Sequence, residues 1–178
     1  MSIPHSKWFA LSTGLAFAVA ALAPAQAIER SRNSFYNPAQ SCQLSLPVIE
    51  TKVSPRATGY RNDGTAGTYV ICGLTRPTND SLLLGAGIYF HSSDNLAHAF
   101  DCTAVGGEPG DIHYATKSVM LPAGAAWTVA QYAASDFQVG ATEIPGGESL
   151  SITCGLPAHV AITGLSSYYT VEVGTPPP

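Results

Sequence analysis

Beyond its first 27 residues the sequence holds no window with a sustained 3.6-residue apolar period, and no repeat of about 20 to 50 residues. Short segments rich in β-branched and aromatic residues recur instead, separated by Gly, Pro, Asn and Asp. This pattern predicts about eight strands, near Gln43 to Glu50, Gly67 to Thr75, Leu82 to His91, Ala97 to Val105, Tyr114 to Leu121, Trp127 to Ala133, Ser149 to Leu156 and Ser167 to Val173. Helical bundles and α/β folds are thereby disfavoured. The expected fold is all-β, an antiparallel β-sandwich of jelly-roll or immunoglobulin-like type. A polar lead, Glu29 to Gln40, precedes the first strand, and the tail Thr175-Pro176-Pro177-Pro178 cannot continue a ladder.

The first 27 residues have a different character. Lys7 precedes an apolar run from Trp8 to Ala23, followed by Pro24 and Ala25-Gln26-Ala27, a small-x-small site of the kind signal peptidases accept. The run is broken by Ser12, Thr13 and Gly14 and ends at Pro24, which suits a cleaved signal better than a membrane span. We therefore expect residues 1–27 to be a signal peptide, residues 28–178 to form one secreted or periplasmic domain, and no membrane span to remain after cleavage. That domain carries seven basic and twelve acidic residues, and the absence of a basic cluster argues against nucleic acid as a partner.

All four cysteines, Cys42, Cys72, Cys102 and Cys154, lie in the domain. An even count in an exported chain reads as two disulfides, and the lack of a CxxC pair makes zinc a poor alternative. Of the three connectivities open to four cysteines, Cys42 to Cys72 with Cys102 to Cys154 closes the smaller loops. Alternation in Ser149 to Leu156 turns Leu150, Ile152, Cys154 and Leu156 to the core. Similar reasoning groups Phe100 with Cys102, and Ala86 with Ile88. It suggests that Leu82 to His91 and Ala97 to Val105 form a hairpin about Ser93-Asp94-Asn95, pairing Ile88 with Phe100 and Ala86 with Cys102.

The elements Ser41-Cys42-Gln43, Val70-Ile71-Cys72-Gly73-Leu74, Cys102 and Leu150-Ser151-Ile152-Thr153-Cys154-Gly155-Leu156-Pro157, with a closing Tyr-rich strand, resemble a loose set of small exported bacterial proteins of unassigned function. The resemblance implies a two-disulfide β-sandwich and no activity.

Motifs for chemistry are sparse. His91, Asp94, His98 and Asp101 fall within eleven residues, but the expected hairpin sends the two imidazoles to opposite faces, so no metal site is expected there. There is no Gly-x-Ser-x-Gly elbow. Glu108 and Asp111 flank a turn-rich loop, neither Gly106-Gly107 nor Gly146-Gly147 precedes a helix, Asp63-Gly64 reads as a hairpin signal, and Asn79-Asp80-Ser81 matches a glycosylation acceptor. No cofactor is implied.

Trp127 alternates with Val129 and is expected in the core. Tyr169, Val171 and Val173 form the apolar set of the last strand, leaving Tyr168, Thr170 and Glu172 outside. Were that strand to lie beside Ser149 to Leu156, Tyr168 and Thr170 would join Ser151 and Thr153 in a hydroxyl-rich patch able to stack on a sugar. The expected function is thus a non-catalytic module whose partner is a glycan or cell-surface component. The alternative is a small exported hydrolase with a triad assembled from distant residues.

Overall fold

The computed structural model describes residues 28–46, 52–75, 81–146 and 149–174. The expected signal at residues 1–27, the tail from Thr175, and Asn79 and Asp80 of the acceptor tripeptide lie outside them. Eleven strands run in order as β1 (Ile28–Tyr36), β2 (Cys42–Leu44), β3 (Val53–Arg56), β4 (Gly59–Asn62), β5 (Thr68–Thr75), β6 (Ser81–Ser92), β7 (His98–Glu108), β8 (Asp111–Leu121), β9 (Thr128–Ala133), β10 (Ser149–Leu156) and β11 (Val160–Val173). Two single-turn helices, α1 (Pro38–Ser41) and α2 (Ala134–Phe137), complete the described elements.

Two antiparallel sheets result. Sheet A has the order β3-β4-β11-β6-β9, with β1 paired to the C-terminal half of β11; sheet B has the order β2-β5-β10-β7-β8. The eight strands β4 to β11 are distributed as 4-11-6-9 and 5-10-7-8, which is the jelly-roll arrangement rather than the immunoglobulin one. The β-sandwich expectation therefore holds and resolves to the jelly roll.

Both expected disulfides are present, Cys42–Cys72 and Cys102–Cys154. Each joins residues directly opposite one another on neighbouring strands of sheet B, β2 with β5 and β7 with β10. All four cysteines face the core, where Ile152 lies opposite Cys72 on one side and Ala104 on the other. The core between the sheets is filled by Ile88, Phe90, Leu121, Tyr132, Ile152, Leu156, Ile162 and Leu165.

Two expectations about local connection fail for one reason, that successive strands of a jelly roll mostly cross between sheets. β6 and β7 do not form a hairpin: β6 pairs β11 and β9, and β7 pairs β10 and β8. Phe90 and Phe100 meet instead across the sandwich, edge to face, with ring centroids 4.9 Å apart. Asn95 adopts the left-handed conformation, φ 58°, in an inter-sheet arch rather than a hairpin loop.

Asp63-Gly64 is likewise no hairpin. Asn62 is fully buried there, donating to the carbonyls of Ala66 (2.9 Å) and Leu156 (3.2 Å) and accepting from Gly64 N–H (2.9 Å), so it ties the β4–β5 crossover to the end of β10. The described hairpins turn at Ala57-Thr58, between β3 and β4, and at Pro109-Gly110, between β7 and β8. Finally, the polar lead is strand β1, and the last strand begins at Val160 rather than Ser167. The first expected strand is seen only as Cys42–Leu44, and residues 47–51 are outside the described set.

Candidate aromatic face and the residues around it

Tyr168 and Thr170 do project from the outer face of sheet A, and Ser151 and Thr153 from the outer face of sheet B. The supposition that brought them together is wrong, because β11 and β10 belong to different sheets and the two pairs point away from each other. Tyr169 packs against the core as expected, where its phenol meets Ser34 Oγ at 3.1 Å.

What sequence reasoning missed lies around Tyr168. The outer positions of sheet A read across the strands as Val129, Tyr89 and Gly164 in one row. The next is Gln131, Gly87, Ser166 and Phe35, followed by Ala133, Gly85, Tyr168 and Asn33. Of the six outer positions that β6 and β11 supply to these rows, four are glycines or a serine: Gly164, Gly87, Ser166 and Gly85. A Cβ at Gly164 would stand 3.4 Å from the Tyr89 ring, and one at Gly87 would stand 3.6 Å from it and 2.8 Å from Ser166 Oγ. The Tyr89 ring is therefore laid over Gly164 and Gly87.

Trp127 stands beside this ring, its centroid 5.9 Å from that of Tyr89 and its plane tilted by 56°. Its side chain is 60 % exposed, which overturns the expectation of a buried tryptophan. The reason is parity. Trp127 and Val129 do share a face, but the buried face of β9 belongs to Ala130 and Tyr132, whose hydroxyl donates across the core to the Cys102 carbonyl at 2.8 Å. Phe35, 71 % exposed, adds an aromatic at the β1 side.

Polar groups surround these rings. The Tyr168 phenol faces that of Tyr89, whose influence raises its pKa above the ordinary tyrosine value against a smaller downward pull from Ser166. Ser166 Oγ is itself fully buried and makes no hydrogen bond of ordinary geometry among the described residues, so its effect on Tyr168 is one of proximity. Bulges flank the patch: Thr163 is extra on β11 beside Tyr89, and Leu84 is extra on β6 beside Tyr168. Such irregularities re-aim side chains and recur beside functional sites. At the β9 edge the face opens into a cleft of about 530 Å³ lined by Gly85, Gln131, Tyr132, Asp136, Lys117 and Tyr168. Lys117 is held there by Asp136 at 2.7 Å, so the cleft offers no free cation. Burial alone would raise the Asp136 carboxyl, but Lys117 and the Ala133 N–H outweigh it and hold the pKa below the usual carboxylate value.

The histidines form no comparable arrangement. His98 Nε2 lies 3.0 Å from Asp94 Oδ1, and Ser92 Oγ donates to that same carboxylate oxygen. A hydrolytic triad needs the serine on the histidine; here both sit on the aspartate, which leaves the hydroxyl without a base. His113 pairs with Asp111 at 3.0 Å, and Asp101 accepts from Ser118 at 2.6 Å. His91 lies on β6 in sheet A and His98 on β7 in sheet B, so the two are set apart by the sandwich and not by the expected hairpin. Among the described residues no three of His, Cys, Asp and Glu come together as metal ligands, and no helix is long and apolar enough to cross a membrane.

No protein-family model and no curated protein matches the chain. Among solved structures it is similar to a xylan-binding module, CBM15, at 11 % identity and TM-score 0.43, covering 81 % of this chain and all of that one. A Podospora anserina GH26-CBM35 β-(1,4)-mannanase gives 10 % identity and TM-score 0.42, over 82 % of this chain but only 29 % of the mannanase chain. TmCBM61, solved in complex with β-1,4-galactotriose, gives 9 % identity and TM-score 0.37, over 80 % and 88 % of the two chains. These similarities are too distant to bear on what this chain binds, which rests on its own residues.

Proposed function

We propose that this chain is an exported, non-catalytic binding module, freed of residues 1–27, whose outer sheet A face takes a neutral glycan. The observation that carries the reading is Trp127, a large ring left 60 % exposed and braced against Tyr89 over a glycine floor. With Trp127 exposed and Tyr89 half-buried, the pair offers pre-positioned faces on which the C–H groups of a pyranose can stack. Asn33, Gln131 and the Tyr168 phenol supply hydrogen-bonding groups at outer positions around it. The one cation of the adjoining cleft is neutralised by Asp136, which favours an uncharged ligand over an acidic one. Trp127 to Tyr168 runs diagonally over three strands, about 20 Å by strand spacing and rise. An open diagonal of this length suits an extended chain rather than a single sugar.

Calorimetric titration with neutral β-1,4-linked hexasaccharides tests this. Trp127→Ala and Tyr89→Phe should each weaken binding, the first on the order of tenfold or more. Trp127→Ala should change stability by no more than about 1 kcal/mol, as an exposed position does. Undiminished binding by Trp127→Ala would refute the site.

A further inference from the structure

We propose that the opposite face of the molecule, the outer surface of sheet B, is a second glycan-binding face, so that one chain bridges two polysaccharide strands. This rests on the sheet A reading for the class of ligand, but its own residues carry it. Tyr69 on β5 and Tyr114 on β8 are 64 % and 63 % exposed on this face. Tyr69 lies over Gly155, where an added Cβ would stand 3.6 Å from its ring, repeating the ring-over-glycine device of Tyr89 and Gly164.

Between the two tyrosines a hydroxyl lane crosses the sheet: Thr153 on β10 faces Thr103 on β7, which faces Thr116 on β8, with the last two hydroxyls 2.9 Å apart. The next row places Ser151 beside Val105 and Tyr114. A groove of about 450 Å³ adjoins Ser151, bounded by Gly73, Val105, Glu108 and Ile112. Among the described residues no Lys or Arg occupies an outer position of sheet B, while Asp101 supplies an acceptor on that face and Glu108 one at the rim of the groove. Aromatic faces, hydroxyls and carboxylates without a cation match a neutral polyol chain and repel a polyanion.

The two faces point in opposite directions from sheets packed about 10 Å apart, so one extended strand cannot occupy both. Two strands can, and the molecule then acts as a cross-link. Ser151 and Thr153, set apart from Tyr168 by the fold, acquire a role on this second face.

The test uses cellohexaose, xylohexaose and mannohexaose in solution, and beads coated with cellulose ether, xylan or mannan. The exported protein should bind two hexasaccharides per chain and agglutinate the matching beads. The double variant Tyr69→Ala/Tyr114→Ala should retain one site, lost instead in Trp127→Ala, and agglutination should vanish in both while thermal unfolding stays close to the parent's. Affinity at the altered face should fall on the order of tenfold or more. One-to-one binding that survives Tyr69→Ala/Tyr114→Ala and disappears in Trp127→Ala would overturn the second face and leave the first intact. Binding that depends on Tyr69 and Tyr114 alone would overturn the bridge and the sheet A reading together, as would no binding by any member of the panel.

Discussion

Single side chains carry most of the functional account, and Trp127 shows how. Alternation in a strand establishes which residues share a face but not which face is buried. Trp127, sharing a face with Val129, is expected on the core side. The core took Ala130 and Tyr132 instead, because the tyrosine hydroxyl finds the Cys102 carbonyl across the sandwich. Asp94 illustrates a polar residue whose role is structural. Its carboxylate accepts from Ser92 Oγ and from Leu96 N–H and meets His98, and these partners, Ser92 foremost, hold its pKa well below the usual carboxylate range. Because the folded value is depressed, the unfolded chain takes up the proton first as acid is added. The stabilisation is complete above the ordinary Asp pKa of about 3.9 and is lost as the pH falls below it. Thermal unfolding followed from pH 7 to pH 2 should therefore show a steeper acid decline for the parent than for Asp94→Asn. Equal declines would show that the arch does not depend on this carboxylate.

Among the elements, β10 was fully legible: alternation gave its limits, Ser149 to Leu156, and its buried face. Its sequence supplies both signals itself. β1 was not legible, because Arg30-Ser31-Arg32-Asn33-Ser34 has no apolar face to read; the strand exists because β11 offers it a full ladder of backbone partners from Ile28 to Tyr36. The β6–β7 hairpin failed for a related reason. A short polar loop between two apolar runs fits a hairpin and an inter-sheet arch equally, and only partners distant in sequence decide between them.

The disulfides were legible from the even count and the expectation of export, yet their placement was not: both cross between neighbours within sheet B. Sheet B is thus covalently stapled at two strand pairs, whereas the aromatic face rests on the unstapled sheet A. The Cys102–Cys154 link closes a separation of 52 residues, worth on the order of 4 kcal/mol in the chain-entropy model. The Cys102→Ala/Cys154→Ala variant should lose about that much in denaturant unfolding, and a loss below about 1 kcal/mol would show that the strand pairing alone sets the stability of this sheet.

For the whole molecule, the jelly roll explains why the sequence could reach the fold class but not the residues that share the aromatic face. Tyr168 is correctly outward, but its neighbours come from β1, β6 and β9, at positions 33, 85 to 89 and 127 to 133, and no local pattern links these stretches. The signal that could have found them is the set of small residues in otherwise apolar strands. Gly164 on β11 lies under the Tyr89 ring, Gly87 on β6 lies under Ser166 Oγ and the edge of that ring, and a Cβ at Gly85 would stand 2.7 Å from the Tyr132 carbonyl oxygen.

The central claim is that the Trp127–Tyr89 pair meets a neutral glycan, and the molecule contains its own reporter. The sequence has two tryptophans, Trp8 and Trp127, so cleavage after Ala27 leaves Trp127 as the sole one. Titrating the exported protein with neutral β-1,4-linked oligosaccharides should give a saturable change in Trp127 emission, with Tyr89→Phe shifting the titration to higher ligand concentration. Binding detected by calorimetry with the Trp127 emission unchanged would contradict the account.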